Sequence, residues 1–97
     1  MYARVTFAHS LPGKSDEVMQ IHRESVVPAC KQQKGFKGLY LLHDHTTGKG
    51  ITMSLWDTEA DMTAAETSGF YQQQLAKFKD VLDAKTVREG YEVSIAP

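Results

Sequence analysis

Between Gly35 and Tyr71 the chain reads GFKGLYLLHDHTTGKGITMSLWDTEADMTAAETSGFY, and few topologies can carry that order of signals. Gly35 is a natural left-handed stop for a preceding helix. Phe36–Asp44 and Ile51–Trp56 are rich in aromatic and branched residues and read as strands. The six residues His45–Gly50 between them are too few for anything but a hairpin connection. Thr58, followed three residues later by Asp61, is a helix cap of the capping-box type. A strand therefore passes directly into a helix with no linker between them.

The flanks complete the pattern. Tyr2–Ala8 reads as a strand, Leu11-Pro12-Gly13-Lys14 as a turn, and Ser15 as an N-cap ahead of Asp16 and Glu17, whose charge suits a helix N-terminus. Val18, Ile21, His22, Ser25 and Ala29 recur on one helical face. Pro28 predicts a kink, or a second short segment starting at Val27. Met62, Ala65 and Glu66 share one side of the helix after Thr58, and Ser68-Gly69 interrupts it. Tyr71, Leu75, Phe78 and Leu82 then predict a further helix, and Val87–Ile95 a last strand. The order β-α-β-β-α-α-β, within one domain spanning residues 1–97, predicts an α+β ferredoxin-like fold. In it a four-stranded antiparallel sheet carries its helices on one face.

The strands carry a second message. Phe36, Tyr40 and Leu42 alternate with Leu39 and Leu41, and Ile51, Met53 and Leu55 alternate with Thr52, Ser54 and Trp56. A sheet with one wet face separates apolar from polar residues cleanly. These strands are apolar or amphipathic on both sides, which predicts a homodimer formed through the sheet faces. A 97-residue chain buries only roughly 60–65% of its unfolded surface, so a covered second face also helps stability.

Composition excludes several classes. With 11 basic and 12 acidic residues, no basic footprint for nucleic acid exists. No apolar run approaches a membrane span, and the N-terminus MYARVTFAHSLPGK lacks the apolar core of a signal peptide. The single Cys30 cannot form an internal disulfide and fits a reducing compartment, so a cytoplasmic location is expected. No glycine-rich phosphate loop supports a nucleotide cofactor.

Together, Pro12-Gly13, Pro28, Gly35-Phe36-x-Gly38, Thr47-Gly48-Lys49, Leu55-Trp56-Asp57, Ser68-Gly69-Phe70-Tyr71 and Val87-Arg88-Glu89-x-Tyr91 resemble the antibiotic biosynthesis monooxygenase domain, a branch of the dimeric α/β-barrel superfamily. The resemblance spans nearly the whole chain. It implies a homodimer with sheets packed face to face, and a pocket in each subunit between sheet and helices. Relatives of this kind include cofactor-free monooxygenases of phenolic polyketides or quinols, and haem-degrading enzymes. The haem-degrading branch keeps an Asn, a Trp and a His near positions that here hold Thr6, Ala65 and Leu75. The polyketide branch keeps an Asn and a Tyr where this chain has Thr52 and Met62, and shares only the strand-end Trp56.

Candidate site residues follow from residue chemistry. His22, on the apolar stripe of the first helix, is the candidate base, because an imidazole near neutrality accepts a phenol proton. Trp56 offers a flat wall for an aromatic ligand. Tyr71, Thr52, Met62 and Arg88 are candidate lining residues, Arg88 pairing either with Glu66 or with a ligand anion. His43 and His45 point the same way from a strand and would suit a metal, but no third ligand has a supporting spacing, so no metal is expected. His9 reads as a surface histidine, and Cys30 as a buried, unreactive thiol. The expected function is a cofactor-independent monooxygenase of a small quinol-like or phenol-like aromatic. The alternatives are a non-catalytic small-molecule-binding or stress-associated dimer and, third, a haem-binding or haem-degrading protein.

Overall fold

A computed structural model describes residues 1–97. In chain order it contains β1 (Tyr2–His9), α1 (Ser15–Ile21), a π-helical turn (His22–Val26), α2 (Val27–Cys30), β2 (Phe36–His43), β3 (Lys49–Trp56), α3 (Glu59–Thr67), α4 (Phe70–Ala76) and β4 (Val87–Glu92). The strands form one antiparallel sheet in the order β2-β3-β1-β4, the ferredoxin-like arrangement expected from the sequence. Helix α1 starts at Ser15 itself, with Lys14 in the cap position and no side-chain cap, so Ser15 is not the N-cap the sequence suggested.

Pro28 divides the first helical segment as expected. It sits in the first turn of α2, where its missing N–H costs little. Ahead of it the helix widens: the Val27 N–H donates to the His22 carbonyl five residues back. That extra residue per turn is a π-bulge, and His22 lies at its start.

The hairpin and the second cap also match. The Asp44 carboxylate accepts from the N–H groups of Thr46 and Thr47, at 2.8 and 3.2 Å, and closes the turn between β2 and β3. The Asp61 N–H donates to Thr58 Oγ1 at 3.1 Å. Two expectations need correction. Helix α4 ends at Ala76 instead of running to Leu82. The chain tightens there into turns with three-residue bonds, Phe78 N–H to Leu75 O and Val81 N–H to Phe78 O, and these turns drop Phe78 and Val81 into the core. The last strand stops at Glu92, with every residue exposed.

Register sorts the sheet into two unlike faces. Thr6 opposes Thr52 and Arg88, and Arg4 opposes Ser54 and Gly90; Val5 opposes Met53 and Glu89, and Phe7 opposes Ile51 and Val87. Odd-numbered β1 residues thus share the open face with Ile51, Met53, Leu55, Tyr40 and Leu42, while Arg4, Thr6, Thr52, Ser54 and Trp56 face the helices. Phe36 is the exception to the expected alternation. The register shifts between Phe36 and Gly38, and this bulge turns Phe36 to the helix side, against Trp56 at 5.6 Å in an edge-on contact.

The core lies between sheet and helices. Val18, Val26, Cys30, Phe78 and Val81 form one buried cluster, and Trp56, Met62 and Ala65 another. Phe36 and Phe70 pack against both. No helix is long and apolar enough to cross a membrane. Gly35 joins helix to sheet: its φ is +80°, its carbonyl accepts from the Asp57 N–H at 2.7 Å, and a Cβ there would meet the Asp61 Cβ at 2.7 Å. Gly35→Ala should therefore lose about 2 kcal/mol or more of unfolding free energy. Urea titration followed by circular dichroism measures this, and a loss under ~0.5 kcal/mol would contradict the geometry.

Candidate active site

The helix-facing side of β1 and β3 carries Arg4, Thr6, Thr52 and Ser54 among apolar neighbours where a core would ordinarily be wholly apolar, and a cavity of about 90 Å³ opens there. Arg4, Thr6, Thr52, Ser54 and Trp56 supply its floor, His22, Val26 and Cys30 one wall, and Tyr71, Leu75 and Phe78 another. An engineered apolar cavity of ~150 Å³ takes benzene. At about 90 Å³ this cavity is smaller than that, so even a single six-membered ring requires its walls to move outward, and a fused polycycle is far too large.

His22 is 8% exposed. Its Nδ1 lies 2.9 Å from the Val18 carbonyl, which can only accept, so Nδ1 carries the proton and donates. Nε2 then keeps its lone pair, 3.4 Å from Thr52 Oγ1. The ring packs on Phe78, with centroids 4.6 Å apart. Burial pushes the His22 pKa below its usual 6.5, partly opposed by the Val18 hydrogen bond. The imidazole is therefore neutral at pH 7 and holds its lone pair on the cavity side of the helix.

Trp56 is buried and donates its indole N–H to Ser54 Oγ at 3.0 Å. With that donor satisfied, what it offers a ligand is its surface. The hydroxyls of Thr6 and Tyr71 share a hydrogen bond of 2.7 Å, which ties α4 to β1 across the cavity. Of the candidates named from sequence, His22, Trp56, Tyr71 and Thr52 all border this one cavity. Met62 and Arg88 do not. Met62 packs behind Trp56 and Ala65; the Arg88 guanidinium lies over the Tyr71 ring, 5.1 Å from its centroid, and bonds Glu66 Oε2 at 3.2 Å. Thr6, Ala65 and Leu75, the positions implied by the haem-degrading branch, also border the cavity.

Sequence reasoning missed Arg4. It borders the cavity and pairs with Glu66 Oε1, so one carboxylate is shared by two arginines. The signal was the period-two pattern Arg4, Thr6, Ala8 on β1, which marks one face. Cys30 is buried, as expected, and burial pushes its thiol up to about 11. His9 is exposed at the end of β1. His43 and His45 stack edge-on at 4.6 Å, and His43 Nε2 bonds Ser10 Oγ at 3.2 Å. No group of three or more metal-ligating side chains gathers there or elsewhere.

The fold is the one found in antibiotic biosynthesis monooxygenase structures. Similar solved structures include a proposed antibiotic biosynthesis monooxygenase from Deinococcus radiodurans (15% identity, TM-score 0.78, covering 100% of this chain and 96% of that one). A counterpart from Nitrosomonas europaea has 14% identity and a TM-score of 0.77, covering 98% of this chain and 100% of that one. SnoaB, a cofactor-independent oxygenase from Streptomyces nogalater, has 10% identity and a TM-score of 0.78, covering 98% of this chain and 94% of that one. No protein-family model and no curated protein sequence matches the chain.

The lowered His22 pKa has a consequence for stability. Between its folded value and 6.5 the unfolded chain binds the extra proton, so stability should be full above pH 6.5 and fall as pH drops below it. Chemical denaturation at several pH values should show this slope, and His22→Gln should flatten it. An equal slope in the variant would assign the acid sensitivity to other groups.

Proposed function

We propose that the chain is a cofactor-independent monooxygenase acting on a small hydroxylated aromatic, quinol-like or phenol-like, bound between sheet and helices. One observation carries the reading. A neutral histidine, its tautomer set by Val18, presents an unprotonated nitrogen at a small, mostly apolar cavity walled by Trp56, Phe78 and Tyr71. His22 removes the substrate hydroxyl proton, and the resulting phenolate is electron-rich enough to be oxidised by O₂ directly. The overall balance is phenol plus O₂ giving quinone plus water: one oxygen atom enters the ring and the other leaves as water. The substrate supplies all the electrons, and the protein supplies position and a base. SnoaB is described as working without a cofactor on the same fold, which supports this class of chemistry.

Haem does not suit the site. A cavity of about 90 Å³ is several times too small for the macrocycle, and Thr6, Ala65 and Leu75 provide no iron ligand where the haem-degrading branch keeps its working groups. The binding-protein reading uses the same cavity without turnover, and oxygen consumption separates the two. Oxygen-electrode assays over single-ring phenols and quinols should find a substrate that consumes one O₂ per quinone formed. His22→Gln should lower that rate about 100-fold. Tight binding across the panel with no uptake by the wild-type protein would favour the non-catalytic protein.

The working form in this proposal is a homodimer. Tyr40 (58% exposed), Leu42 (55%) and Val87 (59%) lie on the open face of the sheet with Phe7 and Tyr91. An apolar surface of this kind is covered in a stable protein, and a second copy of the same face is self-complementary. Sedimentation should give twice the 10.8 kDa chain mass, and Tyr40→Lys with Leu42→Lys should give a monomer. A wild-type monomer at tens of micromolar would refute the dimer.

A further inference from the structure

The charge around the cavity does not balance. Two guanidinium groups, Arg4 and Arg88, share the single carboxylate of Glu66, one oxygen each, which leaves the trio one unit positive. The Arg4 and Glu66 side chains are each only 15% exposed. Arg4 is the one charged residue in the cavity wall, no acidic residue borders it, and the buried Arg4 Nε has no hydrogen-bond partner. Gly90 opposes Arg4 on β4, and a Cβ there would come within 3.0 Å of Arg4 Nη1; the missing side chain leaves the guanidinium room to lie against the strand. The surplus charge sits on Arg88, whose side chain is 45% exposed; what the cavity wall itself leaves unmade is the hydrogen bond of the buried Arg4 Nε–H, which is costly unless an acceptor completes it, and a guanidinium favours an anionic one.

We propose that the ligand is anionic: a single-ring hydroxyaromatic carboxylate, its carboxylate on Arg4 and its hydroxyl toward His22. This rests on the aromatic-ligand reading above and narrows it. The register supports the length. His22 meets Thr52, which opposes Thr6, and Arg4 lies two residues further along the same face of β1. The backbone positions are roughly 7 Å apart along the strand, on the scale of one para-substituted ring from hydroxyl to carboxylate. Arg4 pairs with a planar carboxylate through charge-assisted bonds, Glu66 tempers the local field, and Trp56 and Phe78 hold the ring.

Calorimetric titration with 4-hydroxybenzoate and its neutral isostere 4-hydroxybenzamide tests this. The wild-type protein should prefer the acid by about tenfold or more. Arg4→Gln should bring the ratio near one. Glu66→Gln, which removes the tempering charge, should raise it, a gain that a merely structural role for the trio would not produce. If Arg4→Gln does not fold, the wild-type ratio and the Glu66→Gln response still decide. Equal binding of acid and amide by the wild-type protein overturns the anion assignment alone. Binding of neither overturns the aromatic reading as well. Acid-selective binding without oxygen uptake upholds the anion assignment and leaves the oxygenase reading to fall by itself.

Discussion

A single register holds this structure together. Thr6 against Thr52, and Val5 against Met53, set the parity of β1 against β3 at the centre of the sheet, and a slip of one residue there would turn the slipped strand's side chains to the opposite face. In the observed parity the polar residues Arg4, Thr6, Thr52 and Ser54 turn inward, toward the helices, and the apolar Phe7, Leu42, Ile51 and Met53 turn outward. This mixes polar residues into a helix-facing side that also carries Leu39, Leu41, Phe36 and Trp56, and leaves apolar ones on the open face. Cavity and open apolar face are therefore two consequences of one pairing, and a register slip would disturb both at once.

The helices complete what the sheet begins. Pro28 cannot donate a backbone bond, and the five-residue step before it reorganises the turn that carries His22. The histidine bonds Val18 on one side and Thr52 on the other, so a backbone irregularity and a tautomer are set in the same few residues. Gly69, at φ +88°, performs the comparable break on the other wall, ending α3 and letting α4 carry Tyr71 to Thr6. Both walls thus approach the sheet through interruptions and not through long continuous helices. That is how short helices enclose a cavity instead of a solid core.

Much of this was legible in the residues, for definite reasons. Gly35, Thr58 with Asp61, the Thr47-Gly48-Lys49 turn, and Pro28 act locally, so their signals survive without knowledge of the fold. The strand alternation of Ile51 to Trp56 was equally direct. The failures are tertiary. Leu75, Phe78 and Leu82 keep helical spacing past Ala76, yet tight turns bury Phe78 and Val81 just as well, and no stop residue marks the change. Phe36 follows the expected alternation until the bulge at Gly38 reverses it. Met62 and Arg88 were placed one layer too far in, because position on an element does not reveal depth behind a neighbour such as Trp56 or Tyr71. Arg4 was overlooked because β-propensity names a strand without saying which side of it faces a cavity.

In the proposed oxygenase, the protonation state of Cys30 acts as a chemical safeguard. Quinones are electrophiles that add to thiolates, and a cysteine in the wall of a quinone-forming cavity would ordinarily be alkylated by the product. With its thiol pushed up to about 11, only about one molecule in ten thousand carries the nucleophilic thiolate at pH 7. The burial that keeps His22 unprotonated also keeps Cys30 protonated. One desolvated wall thus favours a base and silences a nucleophile, and an oxygenase built on it would resist inactivation by its own product.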